Sequence, residues 1–219
     1  EVEKNRYFDL LNAANAGDLA KVQSLIKLGT REVNVCLNNA GSNGKTNTVR
    51  WLIEQKADVC FEECYARGYA ILGGHTNTVR LLLEHGAGTA GVSEYEIGSV
   101  VQSGNIELMR LLIKYGVDLT KREYLNHCAY DGNVVMLKLL LDNGAQMFSN
   151  NIPLAEARGN DRVVDILIDR RLDDCTSMKP IYKKYRAQVL QQQRISFLLI
   201  TRCFASHPLS EIALLGAIL

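Results

Sequence analysis

The sequence predicts an all-α solenoid of about six helix-turn-helix repeats followed by a helical C-terminal tail, and two sets of columns carry that prediction. Six glycines, Gly17, Gly44, Gly74, Gly104, Gly132 and Gly159, recur along the 219 residues at gaps of 27, 30, 30, 28 and 27 by subtraction. Self-similarity at a nearly fixed period of this size marks an array of units, each burying its apolar face only against its neighbours. The apolar residues keep the same register. Five positions after each glycine stands Val22, Val49, Val79, Met109, Leu137 or Val164. Eight and nine positions after it stand the pairs Leu25-Ile26, Leu52-Ile53, Leu82-Leu83, Leu112-Ile113, Leu140-Leu141 and Leu167-Ile168. Together these columns have the three- and four-residue spacing of one helical face.

Each unit therefore carries an amphipathic helix after its glycine. Twelve positions after the glycine come Gly29, Gly86, Gly116 and Gly144, where a helix ends on a residue that tolerates the left-handed conformation. Lys56 and Arg171 break this column, and the cost of placing a side chain there predicts a different stop in the second and sixth units. A second helix precedes each glycine. Four positions upstream lie Ala13, Ala40, Ala70, Val100, Cys128 and Ala155, small enough for helices to approach closely. Seven positions upstream lie Leu10, Leu37, Arg67, Ile97, Leu125 and Ile152, with Arg67 the one polar exception.

The segments LLNAANAGDLAKVQSLIKLG, ILGGHTNTVRLLLEHGA, VVQSGNIELMRLLIKYGVD and CAYDGNVVMLKLLLDNGA resemble the ankyrin repeat family, from the paired alanines through the turn glycine to the end of the second helix. The resemblance covers roughly residues 5–174, leaving residues 175–219 as a helical cap or docking tail. Two features depart from it. The TPLH tetrapeptide that opens the family's first helix is absent, and the period falls short of the typical value of about 33 residues. The missing residues predict shortened or absent β-hairpins between units.

Composition bounds the function. With 47% hydrophobic residues and a formal net charge of +1, the chain reads as an ordinary globular protein. Near-neutrality argues against nucleic acid as the main partner, because such binding needs clustered Lys and Arg to neutralise phosphates. The opening residues lack the apolar core of a signal peptide. Six scattered cysteines, Cys36, Cys60, Cys64, Cys128, Cys175 and Cys203, read as reduced small apolar residues of an intracellular, cytoplasmic protein.

No catalytic or cofactor constellation emerges, and a non-enzymatic protein without cofactor is expected. Gly44-Lys45-Thr46 looks like the end of a phosphate-binding loop, but Asn39 stands where that loop needs its first glycine, and Gly44 is already a turn glycine. Cys60 and Cys64 share one helical face near His75, yet no second close pair completes a tetrahedral zinc site. His127 precedes Cys128, but adjacent helical residues point about 100° apart and do not form a nucleophile and base pair. His75, Asn105, Asn133 and Asn160 follow their turn glycines and are expected to hydrogen-bond the turn and helix-start backbone.

The resemblance implies a protein partner, held on the concave side formed by first helices and adjacent loops. The two positions before each turn glycine belong to that side. They are varied, as a surface tailored to one partner or drifting freely would both be. The partner-binding candidates taken from them are Asn15, Asn43, Leu72, Gln102, Tyr130, Asp131 and Arg158, with Tyr130 and Arg158 foremost as residue types favoured in hot spots. Phe8, Tyr65 and Tyr95, nine positions before the glycine, with Tyr124 one step off, are expected to pack between first helices in place of TPLH. Asn34 resembles the loop asparagines that hydroxylases modify in some ankyrin proteins.

After Asp174 the columns stop. Residues 179–205 read as a helix with a basic start, and HPLSEIALLGAIL as a short apolar helix. Between Arg170 and Arg202 eight basic residues face Asp173 and Asp174, a net of +6, which a solvated helix face, an acidic partner or an anionic membrane would each fit. Arg202, His207 and Glu211 exclude a membrane span. Two readings stay open for the tail. It caps the solenoid, or it docks a ubiquitin-ligase subunit through a loose likeness to F-box motifs, as tails do behind ankyrin arrays of some viral and intracellular bacterial proteins. The second reading would make the chain a host-cytosol effector.

Overall fold

A computed structural model describes residues 2–26, 30–148 and 150–172, with the isolated positions 188 and 191. The expectations for the tail beyond residue 172 lie outside these described residues. By internal packing the chain divides into two units, residues 1–167 and 168–219.

Twelve helices occupy the described residues. First helices are α1 (Val2–Ala16), α3 (Thr30–Ser42), α5 (Phe61–Leu72), α7 (Glu94–Ser103), α9 (Arg122–Asp131) and α11 (Asn151–Ala157). Each is followed across its turn glycine by a second helix: α2 (Leu19–Leu25), α4 (Thr46–Glu54), α6 (Thr76–Glu84), α8 (Ile106–Lys114), α10 (Val134–Asp142) and α12 (Asp161–Leu172). No strand occurs among the described residues. Loops such as 85–93 and 115–121 replace the family's hairpins, as the short period foretold.

Two layers result. First helices pack on first helices in the order α1, α3, α5, α7, α9, α11, and second helices on second helices in the order α4, α6, α8, α10. The columns supply the core between them. Val22, Val49, Val79, Met109, Leu137 and Val164 are all fully buried, as are Ala40, Ala70, Cys128 and Ala155 of the small-residue column. Removing these side chains from water at roughly 25 cal/mol per Å2 of apolar surface is what holds one unit to the next.

Arg67, the polar exception, is only 2% exposed. Its Nη1 donates to the carbonyls of Ala87 (2.9 Å), Gly88 (3.1 Å) and Ala90 (3.1 Å). A guanidinium carries its donors in a fixed fork, so one side chain satisfies the irregular backbone between α6 and α7. Just beyond that loop, Ser93 and Glu96 form a reciprocal capping box at the head of α7.

Two backbone features depart from expectation. Lys56 was expected to impose a different helix stop, yet it adopts the left-handed conformation at φ 66°. Its N–H donates to Ile53 and that of Ala57 to Leu52, the same two bonds that Gly86 and Ala87 make to Leu83 and Leu82. The shared termination geometry prevails over a local cost of about 1 kcal/mol. Arg171, by contrast, lies inside α12, so the sixth unit does stop differently. The second feature is at the head of α5, where Glu62, Glu63 and Cys64 are all left-handed, with φ of 51°, 59° and 62°. Each such residue costs about 1–2 kcal/mol.

Candidate functional site

The turns join consecutive units. Asn105, Asn133 and Asp18 accept a helix-start N–H through their side chains, from Leu108, Met136 and Lys21. The side chain after the glycine also reaches back to the unit before. Asn105 Nδ2 donates to Gly74 O, and Asn160 Nδ2 donates to the carbonyls of Ala129 (2.7 Å) and Tyr130 (3.0 Å). A β-carbon on Gly17 would meet Lys45, one on Gly44 would meet His75, and one on Gly132 would meet Asn160, each within 3 Å. The turn glycine is thus required both for its positive φ and for the side chain lying on it. His75 corrects the expectation of a hydrogen-bonding role: it makes no cap hydrogen bond at α6 and acts by lying against Gly44 and Gly73. Lys45 likewise spends its stem on Gly17, and Thr46 Oγ1 is 2.7 Å from Thr78 Oγ1, so the phosphate-loop-like triplet is a structural turn.

The aromatic column is overturned. Phe8 (54% exposed), Tyr65 (41%) and Tyr95 (76%) face solvent instead of packing between helices, and only Tyr124, one residue off the column, is buried. Helical arithmetic explains this. Positions nine, five and two before the glycine differ by four and seven residues, so they fall on one stripe, whereas a single step turns a side chain by about 100° into the core. Tyr69, at five before Gly74, joins the stripe; its ring stacks on Tyr65 at 4.2 Å and 27°. Hydrogen bonding with Tyr69, then burial, raises the Tyr65 hydroxyl above its ordinary value.

The residues selected by position fall on this exposed side of the first-helix layer. Tyr130, Asp131, Gln102 and Arg158 are exposed, and Leu72 is half-buried. The Arg158 guanidinium stands 4.0 Å over the centroid of the Tyr130 ring, tying the fifth unit to the sixth. Asn43 Nδ2 donates to Asn15 Oδ1 at 3.1 Å, so these two join the first and second units. Leu72 and Gln102 are not drawn into either pair. Sequence reasoning missed Tyr69 and the carboxylates of Glu62, Glu63, Glu94 and Glu123, all exposed at the first turns of α5, α7 and α9. Glu94 pairs with Lys121 at 2.7 Å.

Other candidates fall away. Asn34 lies within α3 rather than in a loop, and its Oδ1 accepts the N–H of Asp58 at 2.8 Å. Among the described residues no group of three or more His, Cys, Asp or Glu stands placed to hold a metal ion, and no helix is long and apolar enough to cross a membrane.

Comparison with known proteins agrees with this geometry. Residues 10–91 match the family model described as ankyrin repeats in three copies. The crystal structure of EF0377, an ankyrin repeat protein, is 22% identical with a TM-score of 0.61, over 73% of this chain and 96% of that one. At that identity the likeness speaks for the fold. No curated protein matches the sequence. Ankyrin repeats are a module of protein–protein interaction; residues 10–91 match them, and the chain's helix-turn-helix units run on past the matched segment to Leu172.

Proposed function

We propose that the chain binds a protein partner through the exposed stripe of its first helices, with Phe8, Tyr65, Tyr69, Tyr95 and Tyr130 as anchors and Asn15, Asn43, Leu72, Gln102, Asp131 and Arg158 around them. The observation that carries this reading is the exposure of large aromatics on one register of the first-helix layer. Aromatic side chains left in water cost stability and supply contact area at small loss of rotamer freedom, which is why they concentrate in interfaces. Residues 5–174 serve as the array and residues 175–219 as its tail. The free thiols of Cys36, Cys64 and Cys128, buried in the repeats, fit a reducing cytoplasm.

Photo-crosslinking amino acids placed at Tyr95 and Tyr130, and as controls at Arg110 and Lys138 on second helices, test it in the native cell. A single protein captured from the first two positions and not from the controls is expected. Its capture should fall at least tenfold in Tyr65→Ala and Tyr95→Ala with helicity unchanged. Capture from the second-helix positions alone would overturn the reading.

A further inference from the structure

Among the described residues, a cluster of reactive groups lies outside the face just described and is left unused by the interaction reading. Cys60 is exposed and Cys64 is buried, and both are free. The N–H of Cys64 donates to Cys60 O at 3.2 Å, closing one turn across the two residues. Such a turn holds its end α-carbons about 6 Å apart, inside the range that a disulfide spans.

In an ordinary right-handed helix that spacing would still fail. Side chains four apart stack in parallel with β-carbons about 5–6 Å apart, whereas a disulfide requires about 3.8 Å. Here the turn is not an ordinary right-handed helix, since Glu62, Glu63 and Cys64 are all left-handed. Both sulfurs converge on one loop: Cys60 Sγ donates to Gly86 O at 3.8 Å and Cys64 Sγ to Ala87 O at 3.5 Å, the carbonyls of consecutive residues.

We propose that Cys60 and Cys64 are a peroxide-responsive dithiol that closes to an intramolecular disulfide at the head of α5. Exposed Cys60 reacts first: its sulfur takes one oxygen from hydrogen peroxide, the O–O bond breaks, and a sulfenic acid and water result. The Cys64 thiolate then attacks that sulfur. The S–S bond forms, the S–O bond breaks, and the leaving hydroxide takes up a proton. Two thiols and one peroxide thus give one disulfide and two waters. Burial pushes the Cys64 thiol up to about 11, with the Arg67 charge opposing it. Closure is therefore slow at neutral pH and accelerates about tenfold per pH unit below 11 as the thiolate population grows. The bridge would bracket Glu62 and Glu63 and abut Tyr65, so oxidation reshapes one end of the aromatic stripe. That last consequence rests on the interaction reading, whereas the dithiol chemistry stands without it.

The test uses the full-length chain, treated with near-stoichiometric hydrogen peroxide, alkylated and cut with a glutamate-specific protease, which cleaves between the two cysteines at Glu62 and Glu63. A cross-linked pair of peptides 2 Da lighter than the two dithiol peptides is expected, with Cys36 and Cys128 alkylated only after unfolding. Cys64→Ser should leave Cys60 as a sulfenic acid trapped by dimedone. Recovery of Cys60 and Cys64 as separate thiols or separate oxidation products overturns the proposal, as does either one bridged to Cys175 or Cys203. If the disulfide forms and crosslinking at Tyr95 is unaffected, the dithiol stands and only its coupling to the face falls.

Discussion

The imidazole of His75 lies so close to Gly44 that a β-carbon on the glycine would stand 2.5 Å from its Cγ. Gly44→Ala must therefore bear both the left-handed backbone, φ 67°, and a steric clash. At Gly116, φ 80°, nothing lies within 4 Å of the same added carbon. Gly116→Ala is expected to lose about 1 kcal/mol and Gly44→Ala about 2–4 kcal/mol, by urea unfolding. Adding His75→Ala to Gly44→Ala should return the excess; strictly additive losses would disprove the contact.

Lys56→Gly is expected to stabilise the array by about 1 kcal/mol, because glycine takes up the left-handed stop without steric cost. The urea midpoint should rise with the m-value unchanged. A destabilised variant would mean that the lysine stem packs usefully there.

Arg67→Leu restores the apolar residue of the other units but strips the carbonyls of Ala87, Gly88 and Ala90 of their donor. A loss of about 2 kcal/mol is expected, with faster amide hydrogen exchange at Ala87 and Val92 than elsewhere. Uniform exchange across the chain would contradict a local role for this arginine.

Alkaline pH should loosen the core. Burial, with lesser help from Glu32 and Asp131, pushes the Cys36 and Cys128 thiols from 9.0 up to about 12, and burial pushes the Tyr124 hydroxyl to about 12. A group whose folded-state pKa is raised contributes fully below its unfolded value and loses that contribution as pH climbs to the folded one. Thermal stability is thus expected to hold below pH 9 and decline between 9 and 12. Cys128→Ala, the residue of four other units in that column, should shrink the decline while leaving stability at pH 7 within about 1 kcal/mol. An identical pH profile would refute this.

Much of the solenoid was legible in the sequence because a repeat shows each constraint several times. Val22, Val49 and Val79 occupy one column because one packing geometry recurs, and the glycines because one turn recurs. What was not legible had single causes. Lys56 is held left-handed by hydrogen bonds that the neighbouring helix end dictates, which no local preference reveals. Arg67 stood out as an exception, but its purpose resides in a loop twenty residues on. The aromatic column was misread because hydrophobicity, without phase, says nothing about which side of a helix a residue takes; counting from Tyr65 to Tyr69 and Leu72 supplies the phase.

Four inter-unit side chains at the turns reach toward the N-terminus: Lys45 to Gly17, His75 to Gly44, Asn105 to Gly74, Asn160 to the end of α9. A turn is therefore finished by residues translated after it. On the ribosome each unit waits, its glycine bare, until about thirty further residues have emerged, and the nascent chain matures one unit behind its own synthesis.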